Sequence, residues 1–374
     1  MQSYDVVVIG AGAMGSAAAR ALAVAGREVL VLEQYELGHD KSGSHGGTRL
    51  FRLAIDDEGE LLRAARSREL WHELESETGV QMLDLIGGVD HGMSGRQVEE
   101  SAALLERHGI QYDVLTAEAA TERWPGMRFD GRVLYQPGSG RALASQALAA
   151  IRESARALGV EFRSGCAATG VRVVGDGVEV ETGAAVIRGV GDGVEVETGA
   201  GVVRGGQLVV TAGPWTGQVL AGVVEVPAIA ASQEQPRFFA PLDESAQWPV
   251  FVDRRAATPA YGVFEEGRGV KVGLHGTGPV ISLDQRDFQV EPTRDAALVA
   301  YVREWFPGLD LTRSEAISCL YDNTSRGDFV IDRRGPISVA TGFHGEGFKF
   351  VPLVARYLTD LVTGAGSVPD VFRL

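Results

Sequence analysis

Three glycines mark the first place where this chain could do chemistry. Gly10-x-Gly12-x-x-Gly15 follows the apolar run Tyr4–Ile9 and precedes an Ala-rich stretch that reaches about Ala25, with Gly26 behind it. A second apolar run, Glu28–Leu32, ends on Glu33. That order predicts strand, tight turn, helix and strand. The glycines let backbone approach a pyrophosphate, the helix N-terminus supplies partial positive charge, and Glu33 can accept from ribose hydroxyls. The motif specifies a dinucleotide but does not choose between FAD and NAD. Reactive side chains are few. Only three of the 35 basic residues are lysine, Lys41, Lys271 and Lys349, and an ammonium with a shiftable pKa is something guanidinium cannot imitate. The two cysteines, Cys166 and Cys319, cannot build a disulfide framework; each reads by itself as a small buried hydrophobe. No His/Cys/Asp group has metal-ligand spacing, and no Ser-His-Asp arrangement is visible.

The elements that must position these groups follow from periodicity. Helical spacing runs from Glu58 to about Gly79, and a further helix is predicted from Ala142 to about Gly159. Short strand-like pieces with Gly clusters occupy residues 84 to 145 and 222 to 315. Strands are expected around Val160–Val210, with Gln207–Thr211 running into Ala212-Gly213-Pro214-Trp215. Phe329 to Leu361 reads strand, strand, Gly-rich turn and helix. A near-exact repeat, Val174–Gly189 followed by Val190–Gly205, reads as two hairpins with Asp-Gly turns that lengthen a surface meander. The expected fold class is α/β with added helices. A Rossmann-like domain comes from 1–84, 146–221 and 316–374, and a mostly antiparallel sheet from 85–145 and 222–315 forms the second domain.

Composition narrows the classes. The chain has 374 residues and a formal net charge of −15, which disfavours nucleic acid and anionic membrane as partners. Its N-terminus lacks a basic n-region and no stretch reads as a membrane span. A soluble cytoplasmic protein is the expectation.

Longer motifs bring a family into view. Gly43-Ser44-His45-Gly46-Gly47-Thr48-Arg49-Leu50-Phe51-Arg52, Arg123-Trp124-Pro125-Gly126, Ala212-Gly213-Pro214-Trp215, Gly269-Val270-Lys271-Val272-Gly273-Leu274-His275, Cys319-Leu320-Tyr321-Asp322-Asn323 and Gly345-Glu346-Gly347-Phe348-Lys349-Phe350 occur in that order. With them, the sequence resembles the family of monomeric sarcosine oxidase and N-methyltryptophan oxidase nearly end to end. The resemblance implies an FAD-dependent oxidase of secondary α-amino acids. Products are the demethylated amino acid, formaldehyde and hydrogen peroxide; oxygen is the acceptor and the enzyme is a monomer. It implies a thioether from Cys319 to FAD. It places Arg52 and Lys349 on the substrate carboxylate, His275 near the amine, and Tyr261 and Tyr321 in the pocket. It sets Lys271 on the other flavin face, where oxygen reacts. It assigns Gly10, Gly12, Gly15, Glu33, Thr48, Arg49, Arg52, Gly213, Trp215, Gly345, Gly347, Phe348 and Lys349 to cofactor binding, and no residue to a metal.

Departures accompany the matches. The family usually carries Ser-Gly-His where this chain has His344-Gly345-Glu346, so an acid enters the pocket. The Gly43–Gly47 loop lacks one of the family's paired histidines and an acid, and Gln233–Arg237 matches weakly. Related readings are an oxidase of a cyclic imino acid or a glycated amino acid. An NADPH-dependent flavin monooxygenase would show a second nucleotide fingerprint, which is lacking, and a non-enzymatic nucleotide-binding module leaves the lysine placement unused.

Overall fold

A computed structural model describes residues 3–174, 177–182, 185–187, 194–198, 201–255 and 259–374. At its centre, five strands run parallel in the order Glu161–Arg163, Val29–Leu32, Ser3–Ile9, Gly201–Val210 and Ile337–Thr341. Val330–Arg334 continues the sheet antiparallel to the last of them. The apolar run in Ser3–Ile9 serves both faces of this sheet. Val6 and Val8 pack under helices Ala13–Val24, Ala144–Ala157 and Val351–Thr363, while Val7 and Ile9 join Leu208, Val210 and Val219 on the opposite face. Every one of these strand residues is buried.

Helix Glu58–Thr78 starts on an Asp57 side chain that accepts from the Glu60 N–H, and stops at Gly79 in a left-handed conformation. Its inner face buries Leu61, Ala64, Ser67, Leu70 and Trp71. The helix predicted from Ala142 begins at Ala144 instead. Ala142 and Leu143 belong to strand Gly140–Leu143, which pairs with Thr48–Phe51 and Leu83–Asp84. Pairing with distant segments outweighs the helical preference of alanine there.

An eight-stranded sheet stands apart from the parallel one. Its order is Leu309–Ala316, Arg237–Pro241, Gly269–Leu274, Ala260–Glu265, Val250–Asp253, Gly88–His91, Val133–Gln136 and Asp113–Leu115, antiparallel except between Val250–Asp253 and Gly88–His91. Phe239, Phe251, Trp248, Phe306 and Trp124 form its core.

Each repeat copy does contain an antiparallel pair, Gly177–Thr182 with Ala185–Ile187 and Val194–Thr198 with Gly201–Val210. The copies run parallel, with Val178 opposite Val194. These pairs close after the Thr of each copy, at Thr182/Ala185 and Thr198/Gly201, and a further antiparallel pair, Ala168–Val174 with Gly177–Thr182, closes with Val174 opposite Gly177, at the first copy's Asp-Gly signal. Asp176 and residues 190–193 lie outside the described residues. No helix among the described residues is long and apolar enough to cross a membrane.

Candidate functional site: a cavity between the two sheets

One cavity collects all but two of the residues singled out from the sequence. At one end it is made largely of backbone. Gly10 leaves the first strand with φ 97°, and a Cβ there would come within 2.6 Å of the Thr211 carbonyl oxygen. A Cβ on Gly15 would collide with the Gly10 carbonyl, so Gly15 sits beneath the cavity and lets the helix close on the turn. Gly12 supplies no side-chain cap to helix Ala13–Val24, and the first turn holds no acid. Anion-attracting charge is therefore left at the cavity wall. Ser44, which sequence reasoning passed over, accepts from the Ala13 N–H at 3.0 Å.

Glu33 closes this end. It accepts from the Ala11 N–H at 2.8 Å and the Tyr35 N–H at 3.1 Å, with His39 3.4 Å away. Burial pushes its carboxyl up, but these partners outweigh it and hold the group below the usual carboxylate range. Cys166, read from sequence as core, is half-buried and lines the cavity here. A glycine cradle, a helix start capped only by the Ser44 hydroxyl and an ionised acid suit the diphosphate and ribose of a dinucleotide.

The other end is built from side chains on separate strands. Lys271 in Gly269–Leu274 is buried, and its Nζ donates to the Thr48 carbonyl at 2.9 Å. Burial, helped by the Arg49 charge, pushes its ammonium down to about 8. Arg49 is pinned by the carbonyls of Thr48 (2.8 Å), Gly43 (2.9 Å) and His45. Thr48 itself does not line the cavity, and its hydroxyl donates to Glu265 at 2.9 Å. Cys319 begins strand Cys319–Thr324, opposite Glu234. Burial pushes its thiol up, but a hydrogen bond to His45 and the charges of His45, Arg49 and Lys271 bring it down to about 7. Such a thiol has substantial thiolate at neutral pH, the form that bonds to an electrophilic carbon.

Tyr321 lies on the same strand, its hydroxyl 3.4 Å from His275 Nδ1, and Tyr261 meets His275 edge-on at 6.4 Å between ring centres. Burial pushes both phenols up, so they remain neutral donors. Gly213, Trp215, Gly345, Gly347 and Phe348 also line the cavity. The last helix begins at Val351, after a short turn Gly347–Phe350. Lys349 in that turn is buried, and helix Glu58–Thr78 holds its carbonyl through Ser67 Oγ (2.6 Å) and Trp71 Nε1 (3.0 Å).

The two cations expected to hold a carboxylate have partners that the sequence did not reveal. Arg52 donates to Asp90 at 3.1 Å and to the Ala54 carbonyl. Lys349 Nζ lies 3.1 Å from Glu60 and 3.3 Å from Glu346. No spacing signal links Glu60 or Asp90 to these residues, because each arrives on a separate element. Among the described residues, no group of three or more His, Cys, Asp or Glu could hold a metal ion.

Residues 5–361 match the protein family described as FAD dependent oxidoreductase. The chain belongs to that family. Monomeric sarcosine oxidase from Streptomyces avermitilis is 31% identical over 98% of this chain and 96% of its own length. Monomeric sarcosine oxidase from a Bacillus species (strain NS-129) is 28% identical over 98% and 95%. The solved structure of L-proline dehydrogenase from P. horikoshii superimposes with a TM-score of 0.84 at 21% identity, covering 99% of this chain and 96% of that one. The flavin oxidoreductase fold and class expected from the sequence are therefore those of this protein. Its cavity has a glycine turn at one end and a ring of polar side chains at the other.

Proposed function

We propose that this protein oxidises secondary α-amino acids of the N-methyl type, such as sarcosine or N-methyltryptophan. Water and oxygen enter the balance, and the products are the demethylated amino acid, formaldehyde and hydrogen peroxide. One observation carries this reading: Arg52, His275, Tyr321 and Lys349 converge on the cavity that contains the glycine cradle and Cys319. FAD held there supplies two-electron acceptor chemistry, taking a hydride from the carbon next to nitrogen and passing electrons to oxygen.

The chain's own residues do the rest. Arg52 and Lys349 present donors to the substrate carboxylate, fixing which bond lies over the cofactor. His275, oriented by the Tyr321 hydroxyl, stands ready to take the amine proton, since a protonated amine is a poor hydride donor. Lys271 adds a buried positive charge where oxygen reduction develops negative charge. Cys319 would hold FAD through a thioether that replaces a hydrogen on the 8α carbon, the electron pair passing to oxygen as peroxide, and its thiolate character supports this role. The cofactor-binding residues are those named from the sequence, with Thr48 acting through its carbonyl and Gly15 through its lack of a side chain. The FAD-binding part is 1–84, 146–221 and 316–374, and the substrate part is 85–145 and 222–315. The names of the relatives support a monomer.

The test begins with the absorbance spectrum of purified protein, before and after acid precipitation. Yellow colour that stays with the washed pellet supports the Cys319 link, and Cys319→Ala should release it. Peroxide release is then scored across N-methyl amino acids. A panel that yields no peroxide and no bleaching without oxygen would overturn the reading.

A further inference from the structure

Glu346 lines the cavity, yet the oxidation proposed above has no use for its charge. Its Oε2 lies 3.3 Å from Lys349 Nζ and its Oε1 lies 3.8 Å from His275 Nε2. Lys349 also faces Glu60 at 3.1 Å. One ammonium thus sits between two carboxylates, and the trio carries one net negative charge. The Arg52 charge also acts on Glu346, but Arg52 is itself compensated. It shares Asp90 with Arg254, which also binds Asp56, so those four residues balance.

Accessibility sharpens the point. The Lys349 side chain is 6% exposed, whereas Glu346 keeps 41%. An entering molecule meets the carboxylate first. The Lys349 ammonium beside it holds the Glu346 carboxyl down at about 2, against the cost of burial, so the group is ionised throughout the working range. Glu346 also borders a second chamber, walled by Glu60, Asp328, Phe329, Phe350 and Tyr357 together with His344 and Arg63, whose guanidinium lies over Phe372 and 3.6 Å from Asp57, so its acids outnumber its cation. Acids among aromatic faces suit a cation carried on an apolar stem.

We propose that Glu346 is a specificity-determining residue that selects substrates bearing a second cationic group. The favoured class is an N-substituted basic amino acid whose side chain ends in an ammonium or guanidinium, which reaches past Glu346 into the second chamber. This proposal rests on the amine-oxidase reading of the cavity. A neutral side chain forgoes the charge-assisted contact, and an acidic one meets repulsion.

The flavin-loaded enzyme is assayed on a matched pair, α-N-methyl-lysine and α-N-methyl-norleucine, which differ in the terminal ammonium. Native enzyme should favour the lysine derivative in kcat/KM by about tenfold or more, mainly through KM. Glu346→Gln should bring the two near parity, and Glu346→Asp should keep the preference. An unchanged ratio in Glu346→Gln, or an Asp variant as indifferent as the Gln one, overturns the proposal. Calorimetry with methylguanidinium and acetate reads the same charge without turnover. Glu346→Gln should weaken the first and tighten the second, and equal affinities in both proteins would also overturn it. If sarcosine and the two amines all fail to bleach the flavin without oxygen, the oxidase reading falls, whereas bleaching by sarcosine but not by the lysine derivative, or by both amines at an unaltered ratio, removes only the role of Glu346.

Discussion

The two ends of the cavity solve the problem of holding a ligand with different materials. At the glycine end the contacts belong to main chain. Gly10, Gly12 and Gly15 clear space, a helix start offers its N–H groups, and Glu33 is held by two backbone donors. At the other end they belong to side chains from at least four separated elements, and charges there are shared among several partners, as Lys349 is between Glu60 and Glu346. Backbone geometry follows from a short local pattern and tolerates almost no substitution within it. Side-chain geometry depends on how distant strands register, and single residues can change while the frame survives. The first end should therefore fail as a whole, and the second should fail one function at a time.

The strongest way to break this contrast is at Gly15. A Cβ there meets the Gly10 carbonyl and comes within 2.5 Å of Thr211 Oγ1, with backbone as the main obstacle. Overpacking of this kind costs about 1–3 kcal/mol or more. Gly15→Ala should purify with flavin content reduced at least about tenfold and a lowered melting temperature. Gly217 has open space around its missing Cβ, so Gly217→Ala should stay as yellow and as stable as the parent. A Gly15→Ala protein with full flavin would show that the cradle is not limited by space.

Next in size is Lys271, which should separate two half-reactions. Lys271→Met keeps the stem and removes a buried charge. Bleaching by substrate without oxygen should change little, while return of colour in air should slow by about 10²–10³-fold. In native enzyme that return should also slow as pH rises through about 8, where the lysine loses its proton and with it the charge. Equal slowing of both half-reactions, or a flat profile across that range in stopped-flow measurements, would mean that Lys271 only supports the fold.

The same contrast explains what could be read before any coordinates. The glycine turn was legible because it lies within one strand–turn–helix unit, Ser3 to Val24, where spacing and conformation are the same information. Helix Glu58–Thr78 was legible for the same reason, with Asp57 and Gly79 as its ends. The residues of the far end were named through family resemblance, because no local pattern distinguishes His275 or Tyr321 from core residues. Their partners escaped entirely. Glu60 is one of several acids on an exposed-looking helical turn, and only packing of that helix against the Gly347–Phe350 turn brings it to Lys349. Asp90 looks like an acid in a short strand, and only the parallel pairing of Gly88–His91 with Val250–Asp253 sets it between Arg52 and Arg254. The start of helix Ala144–Ala157 was misread because the strand before it is defined by partners nearly a hundred residues earlier in the chain.

Thr48 offers the smallest effect and the finest test. The sequence resemblance makes it a cofactor-binding residue, yet its hydroxyl turns to Glu265 and its carbonyl receives Lys271. If position 48 acts through main chain, Thr48→Val should leave the rate of colour return in air within about twofold of native. The lost hydroxyl bond to Glu265 should cost only about 1 kcal/mol of stability, since Arg268 still faces that carboxylate at 3.5 Å. Chemical denaturation and the oxygen half-reaction measure the two effects separately. A Thr48→Val enzyme whose oxygen step fell as far as that of Lys271→Met would place the hydroxyl itself in the site, and the substrate end would then share more of the backbone end's intolerance than its geometry implies.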